Sequence, residues 1–152
     1  MITFNKVNIQ GKEFNYMKDA MGEGVISGDG KFSRKCNSLF KTELGIKKSL
    51  LTPSCTHALE MTAILLNIKH GDEVIVPSFT FVSTVNAFVS KGAEPVFIDI
   101  RQDTLNIDEN QLEGLITPNT KAIIVVHYAG VGCEMNQILK IAKKYDIPVV
   151  ED

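Results

Sequence analysis

An α/β fold, with helices on both faces of a mostly parallel sheet, is predicted by two features of the sequence. From residue 47 onward, short β-branched runs alternate with longer segments of helical period, the pattern of βα units. The short runs are apolar throughout rather than at every second residue, which suits parallel strands covered on both sides. A three-layer sandwich of this kind places ligands beyond the carboxyl ends of its strands.

The elements follow in order. EFNYMKDAMGEG (13–24) and KFSRKCNSLFKTELG (31–45) read as helices, joined by a loop containing SGDG in which Gly28 and Gly30 permit a tight turn. KKSLLTP, EVIVP, EPVFID, KAIIVVH and IPVVE are runs of strand length. Helical patterns lie between them at 54–68, 80–91, 108–116 and 133–146. The first is apolar almost all round and is expected to be buried on two sides. The last carries Met135, Ile138, Leu139, Ala142 and Tyr145 on one stripe with lysines opposite, as in a helix with one wet face. These elements divide the chain into a helical segment, 1–46, and an α/β portion, 47–152, with right-handed crossovers.

Composition narrows the function. A 44% hydrophobic content over 152 residues is enough for the core of one ordinary domain. Lys and Arg number 16 against 18 Asp and Glu, with neither sign clustered, so nucleic acid is not an expected partner. Three widely spaced cysteines suit a reducing cytoplasm better than a disulfide framework. No stretch reaches the roughly 18 apolar residues of a membrane span, and the start lacks the apolar core of a signal peptide. A soluble cytoplasmic protein without a membrane partner is expected.

Several motifs admit more than one reading. LTPSCTHALEM is a strand, a polar turn and a helix start, whose free N–H groups and dipole favour an anion; Ser54 and Thr56 there are also ordinary capping residues. Cys55 and His57, with Cys133 and His127, raise thiol or metal chemistry, but neighbours two apart at a helix start diverge and there is no CxxC or HxxxH pair, so no metal is expected. In PSFTFVST, Phe79 reads as core filling, whereas Phe81 could fill the core or stack on a flat ligand. HYAGVGCEM resembles a dinucleotide fingerprint through Gly130, Gly132 and a later strand-end acid, yet bulky Met135 holds the third glycine's place.

The ordered pieces ISGDG, SCTHALEM, GDEVIVPSFTFVSTVNAFVSKGAEPVFIDI, TLNID, ITPNTKAIIVVHYAG and IPVVED resemble the DegT/DnrJ/EryC1/StrS family of sugar-nucleotide aminotransferases. The resemblance implies the N-terminal part of the large domain of a fold type I enzyme that uses pyridoxal 5'-phosphate. By that resemblance Asp152 faces the pyridine nitrogen, Thr56 and the backbone N–H of His57 hold the cofactor phosphate, and Phe81 stacks on the ring. Gly28, Gly30 and His127 match places near the substrate. Cys55 stands where most of the family has glycine. The resemblance implies an amino group moved from glutamate to a 4-keto-6-deoxy sugar on dTDP, and a homodimer whose subunits both line each site. The family's catalytic lysine would lie beyond Asp152, so this chain by itself is expected to be inactive and to expose an unpaired strand edge that promotes self-association. Lys47, Lys48, Lys91 and Lys121 read as solvated charges. A dehydratase of the same family, with histidine in place of that lysine, and a nucleotide-binding fragment without chemistry are the alternatives.

Overall fold

The computed structural model of the protein describes residues 6–24 and 26–152. The chain forms two compact units, Met1–Leu51 and Thr52–Asp152. The boundary falls five residues beyond the one read from the sequence, because 47–51 stay with the helices before them.

In the first unit, α1 (Glu13–Gly22) and α2 (Lys31–Leu44) are the two helices predicted. Tyr16 of α1 packs its ring on Phe32 of α2, with centroids 5.4 Å apart. The turn before α2 does not use its glycines as anticipated. The left-handed residue is Asp29 (φ 59°), a residue type that tolerates that region. Its carbonyl accepts from Arg34 Nη1 at 2.6 Å, and Gly30 is the extended N-cap of α2.

KKSLLTP is not a strand. Its large apolar residues, Leu50 and Leu51, are both exposed, and Pro53 offers no N–H to a ladder. The segment instead leads into α3 (Cys55–Leu65), where Thr52 donates its hydroxyl to the Ser54 carbonyl at 2.9 Å. The sheet therefore has four strands: β1 (Glu73–Pro77), β2 (Glu94–Ile98), β3 (Thr120–Val125) and β4 (Val149–Glu151). They are all parallel, in the order β2-β1-β3-β4. The helices α4 (Val82–Val89), α5 (Glu109–Leu112) and α6 (Met135–Tyr145) connect them.

Alternation along the strands builds two cores. Val74, Val76, Ala122 and Ile124 face Leu59 and Ala63 of α3 and Ala87 and Phe88 of α4, with Val150 packed against this set. Ile75, Ile123 and Val125 face Ile107, Leu112 of α5 and Ile138, Ile141 and Ala142 of α6. The α6 stripe is turned slightly from the one predicted, since Ile141 is buried while Leu139 and Tyr145 are exposed. Helix α3 buries one stripe rather than two, leaving Ile64 and Leu65 in the open. The crossover β1-α4-β2 runs one way across the sheet on one face, and β3-α6-β4 runs the other way on the opposite face. The two crossovers thus share one hand, as expected of βαβ units. Among the described residues, no helix is long and apolar enough to cross a membrane.

Two joints position the strand ends. Asn106, buried in the loop after β2, donates to the Val131 carbonyl at 2.9 Å and accepts from the Tyr128 N–H at 3.0 Å, clamping the turn after β3. Nearby, Arg101 binds buried Glu109 and exposed Asp103. The guanidinium holds the Asp103 carboxyl down, to a pKa of about 2. Between α4 and β2, Gly92 has φ +96° and passes His70 so closely that a Cβ would lie 3.0 Å from its backbone. Gly92→Ala is expected to lower stability by more than about 1 kcal/mol. Gly114→Ala, with open space around it and ordinary φ, should leave it nearly unchanged. Urea unfolding of both variants checks this.

Candidate functional site

The strand order reverses at β1, so the crevice lies where the carboxyl ends of β1 and β3 part. Asp152 stands beside it, just past β4. Its N–H donates to Val125 O at 2.9 Å, and its carbonyl accepts from the His127 N–H at 3.1 Å. These bonds prolong the β3-β4 ladder by one step and fix the side chain on the α3/α4 face, the face of Val150.

There the carboxylate meets two donors. Oδ1 accepts from the Cys55 thiol at 3.1 Å, and Oδ2 accepts from the Thr84 hydroxyl at 2.7 Å. Cys55 is the first residue of α3, and Thr84 lies in the first turn of α4. The anion therefore sits between two helix starts, where both dipoles favour it. Its proximity acts back on the thiol: the hydrogen bond to Asp152, with burial and the negative charge, raises the Cys55 pKa above its ordinary value.

The start of α3 supplies the second part. Ser54 is an extended N-cap, its hydroxyl oxygen accepting from the His57 N–H at 3.3 Å and lying 2.8 Å from that residue's ring Nδ1. The cap thus takes the amide that the sequence reading gave to an anion. Among the described residues, the N–H groups of Cys55 and Thr56 have no protein acceptor. They are the free donors of this helix end. Half-buried Thr56 adds a hydroxyl.

Aromatic residues border the crevice. Phe81, the N-cap of α4, is 74% exposed and open to a flat partner. Phe79 is not core filling: the chain has left β1, and the ring packs on Tyr128 with centroids 5.0 Å apart and planes tilted by 53°.

Within the second unit, His127 and Cys133 lie apart from this set. The His127 ring is on the α6 face of the sheet, with Nε2 2.9 Å from Glu151 Oε2 and Nδ1 accepting from the Cys133 N–H at 3.1 Å. That amide can only donate, so the ring proton belongs on Nε2, facing Glu151. Cys133 gives its thiol proton to the Val126 carbonyl at 3.2 Å, and burial pushes its pKa up. No group of three His, Cys, Asp or Glu side chains among the described residues is placed to hold a metal. Gly28 and Gly30 belong to the first unit. The glycines of HYAGVGCEM do not open a helix directly: Ala129 and Gly130 take positive φ, and α6 starts only at Met135. Lys47, Lys48, Lys91 and Lys121 are exposed.

The assembled site has a carboxylate for a cationic nitrogen, an exposed ring for a flat face and free amides for an anionic end. It suits a flat heterocycle carrying those groups. Thr84 and the thiol of Cys55 are the members that the sequence did not reveal. Nothing in the sequence near Thr84 points to a partner 68 positions later.

The sequence profile of the DegT/DnrJ/EryC1/StrS aminotransferase family matches residues 7–152. An uncharacterized protein of Methanocaldococcus jannaschii is 44% identical over 141 residues, which cover 93% of this chain and 36% of that protein. A candidate sugar aminotransferase of Streptococcus pneumoniae, solved in its PMP form, has a TM-score of 0.92 at 30% identity, covering 99% of this chain and 42% of that one. The E. coli GDP-4-keto-6-deoxy-D-mannose-3-dehydratase with bound hydrated PLP has a TM-score of 0.87 at 26% identity, covering 97% of this chain and 39% of that one. The chain thus spans less than half the length of each of these proteins.

The contact between Cys55 and Asp152 is directly measurable. A thiol whose pKa is raised forms thiolate only at higher pH, so Cys55 should react with iodoacetamide later in a pH series than a free thiol in a short peptide does. Asp152→Asn removes the charge and should move Cys55 labelling to lower pH, as read by peptide mass spectrometry. Coincident labelling of Cys55 in both proteins would contradict the contact.

Proposed function

Because this chain belongs to the DegT/DnrJ/EryC1/StrS aminotransferase family, we propose that it is the cofactor-binding portion of a pyridoxal-phosphate-dependent sugar aminotransferase. One observation carries the reading: the Asp152 carboxylate is held by Cys55 and Thr84, beside the helix start whose Cys55 and Thr56 amides are free. In this reading the acid, the exposed ring of Phe81 and the free amides of the α3 start are assigned to what that cofactor presents: a basic ring nitrogen, a flat face and a phosphate.

When bound, pyridoxal phosphate supplies an electron sink for the charge left at the α-carbon of an amino acid. Asp152 keeps a proton on the ring nitrogen, by placing a negative charge against the protonated form. Phe81 covers one face of the ring and keeps water from it. Thr56, through amide and hydroxyl, and Cys55, through its amide, take the phosphate at the positive end of the α3 dipole. The His57 amide, already given to Ser54, has a long bond from which the phosphate can compete. No lysine of this chain is assigned the proton transfer.

In this reading the donor is glutamate and the acceptor a 4-keto-6-deoxy sugar on dTDP. HYAGVGCEM and the opening FNKVNIQGKEF resemble the dTDP-4-amino-4,6-dideoxygalactose transaminase of enterobacterial common antigen synthesis, a cytoplasmic step toward a surface polysaccharide. Phe4 and Asn5 of that opening lie outside the described residues. His127 is assigned to the nucleotide-sugar side, and the working enzyme is a homodimer. A second reading, sugar dehydration, is supported by the likeness to the E. coli dehydratase.

Thermal shift tests the cofactor assignment. Pyridoxal phosphate at a hundredfold excess over its Kd should stabilise the chain by about 2.7 kcal/mol, whereas NAD should not. Asp152→Ala should reduce the pyridoxal phosphate shift. Stabilisation by NAD alone would overturn the reading in favour of a dinucleotide site. The 152-residue chain by itself should move no amino group from glutamate to the dTDP-linked ketosugar, as followed by mass spectrometry. Turnover would contradict its assignment as a cofactor-binding portion only.

A further inference from the structure

Thr84 is buried to 1% exposure, yet its hydroxyl is not spent on its own helix. It donates to Asp152 Oδ2 at 2.7 Å and lies 2.9 Å from the hydroxyl of Thr80. The direction of this chain is fixed by proton counting. A carboxylate only accepts, so the one proton of Thr84 goes to Asp152, and the Thr84 oxygen must accept from Thr80. Three side chains in a row, Thr80, Thr84 and Asp152, therefore point their protons toward the acid.

We propose that Thr84, supported by Thr80, is a positioning residue that locks the Asp152 carboxylate in the orientation needed to meet the ring nitrogen of the cofactor. The inference rests on the cofactor assignment above. Rotation of Asp152 about its Cα–Cβ and Cβ–Cγ bonds is opposed from both sides, by Thr84 on Oδ2 and Cys55 on Oδ1. The thiol is the weaker donor, so the hydroxyl carries most of the constraint. Thr84 is also one helical turn from Phe81, so a single rigid element, α4, sets the acid and presents the stacking ring. Loss of the hydroxyl would leave a partly buried carboxylate oxygen unpaired while barely changing side-chain volume.

The test compares two ligands on the full chain: pyridoxal phosphate, and the analogue in which carbon replaces the ring nitrogen. Thr84→Val should weaken pyridoxal phosphate binding about tenfold to a hundredfold, the worth of a hydrogen bond to a charged group, and leave the carbon analogue unchanged. Thr84→Ser should restore the affinity, and Thr80→Val should give a smaller loss with the same selectivity. Equal weakening of both ligands by Thr84→Val, or no weakening of either, overturns the proposal. Should Thr84→Val fail to fold, Thr80→Val decides: a loss confined to pyridoxal phosphate supports the relay, and no loss overturns it. Asp152→Ala separates the two levels. If it does not selectively weaken pyridoxal phosphate, the cofactor assignment fails and the inference with it; if it does and Thr84→Val does not, the inference alone fails.

Discussion

A single carboxylate, held between the first turns of two helices, is the constraint around which the site is arranged. Asp152 belongs to the sheet through its backbone and to α3 and α4 through its side chain, so it ties three elements of the second unit to one point. An anion there would be costly without donors, since burying an unpaired charge is among the most unfavourable events in folding. The donors are present, and each comes from a helix start whose dipole carries the matching sign. The same geometry that stabilises the acid leaves the next amides of α3 free.

The sheet makes this meeting possible. With strands ordered β2-β1-β3-β4, the connections leaving β1 and β3 part toward opposite faces and open a crevice at their ends. Phe79 and Tyr128 come from those two connections and meet across it. The turn after β3 is held by buried Asn106, so the TLNID segment, far from the acid in sequence, has a mechanical role in shaping the crevice wall. Rigid strands and a clamped loop keep the polar groups within reach of one small ligand, as a preorganised site requires.

Much of this was legible in the chain. EVIVP and TKAIIV carry β-branched apolar runs and form the central strands β1 and β3, buried along most of their length; EPVFI and VVE form the two edges, where Phe97 and Glu151 are exposed, so cover on both sides holds for β1 and β3 alone. KKSLLTP misled because Leu50 and Leu51 gave it a strand's hydropathy, while its lysines and Pro53 denied it a ladder. The all-round apolar pattern of α3 suggested two covered sides, but periodicity records which residues are apolar and not what lies against them; Ile64 and Leu65 are open. Asp152 and the 54–57 helix start were readable because an acid at a strand tip and a polar turn before a helix are local signals. Thr84 was not, since a threonine inside a helix has no local mark of its partner, and the bond to Asp152 depends on tertiary packing. The role of the Cys55 thiol was hidden for the same reason: the sequence raised thiol chemistry beside His57 and a small residue in a glycine's place, and neither points to Asp152.

The central claim is that the Asp152 carboxylate faces the protonated nitrogen of a bound pyridoxal phosphate. Nitrogen-15 NMR of the cofactor labelled at its ring nitrogen observes that atom itself. Bound to this chain, the label should resonate as a protonated pyridinium at neutral pH, and in Asp152→Ala it should move to the position of a neutral pyridine. A neutral pyridine signal in the unaltered chain, or a pyridinium signal that survives removal of Asp152, would contradict it.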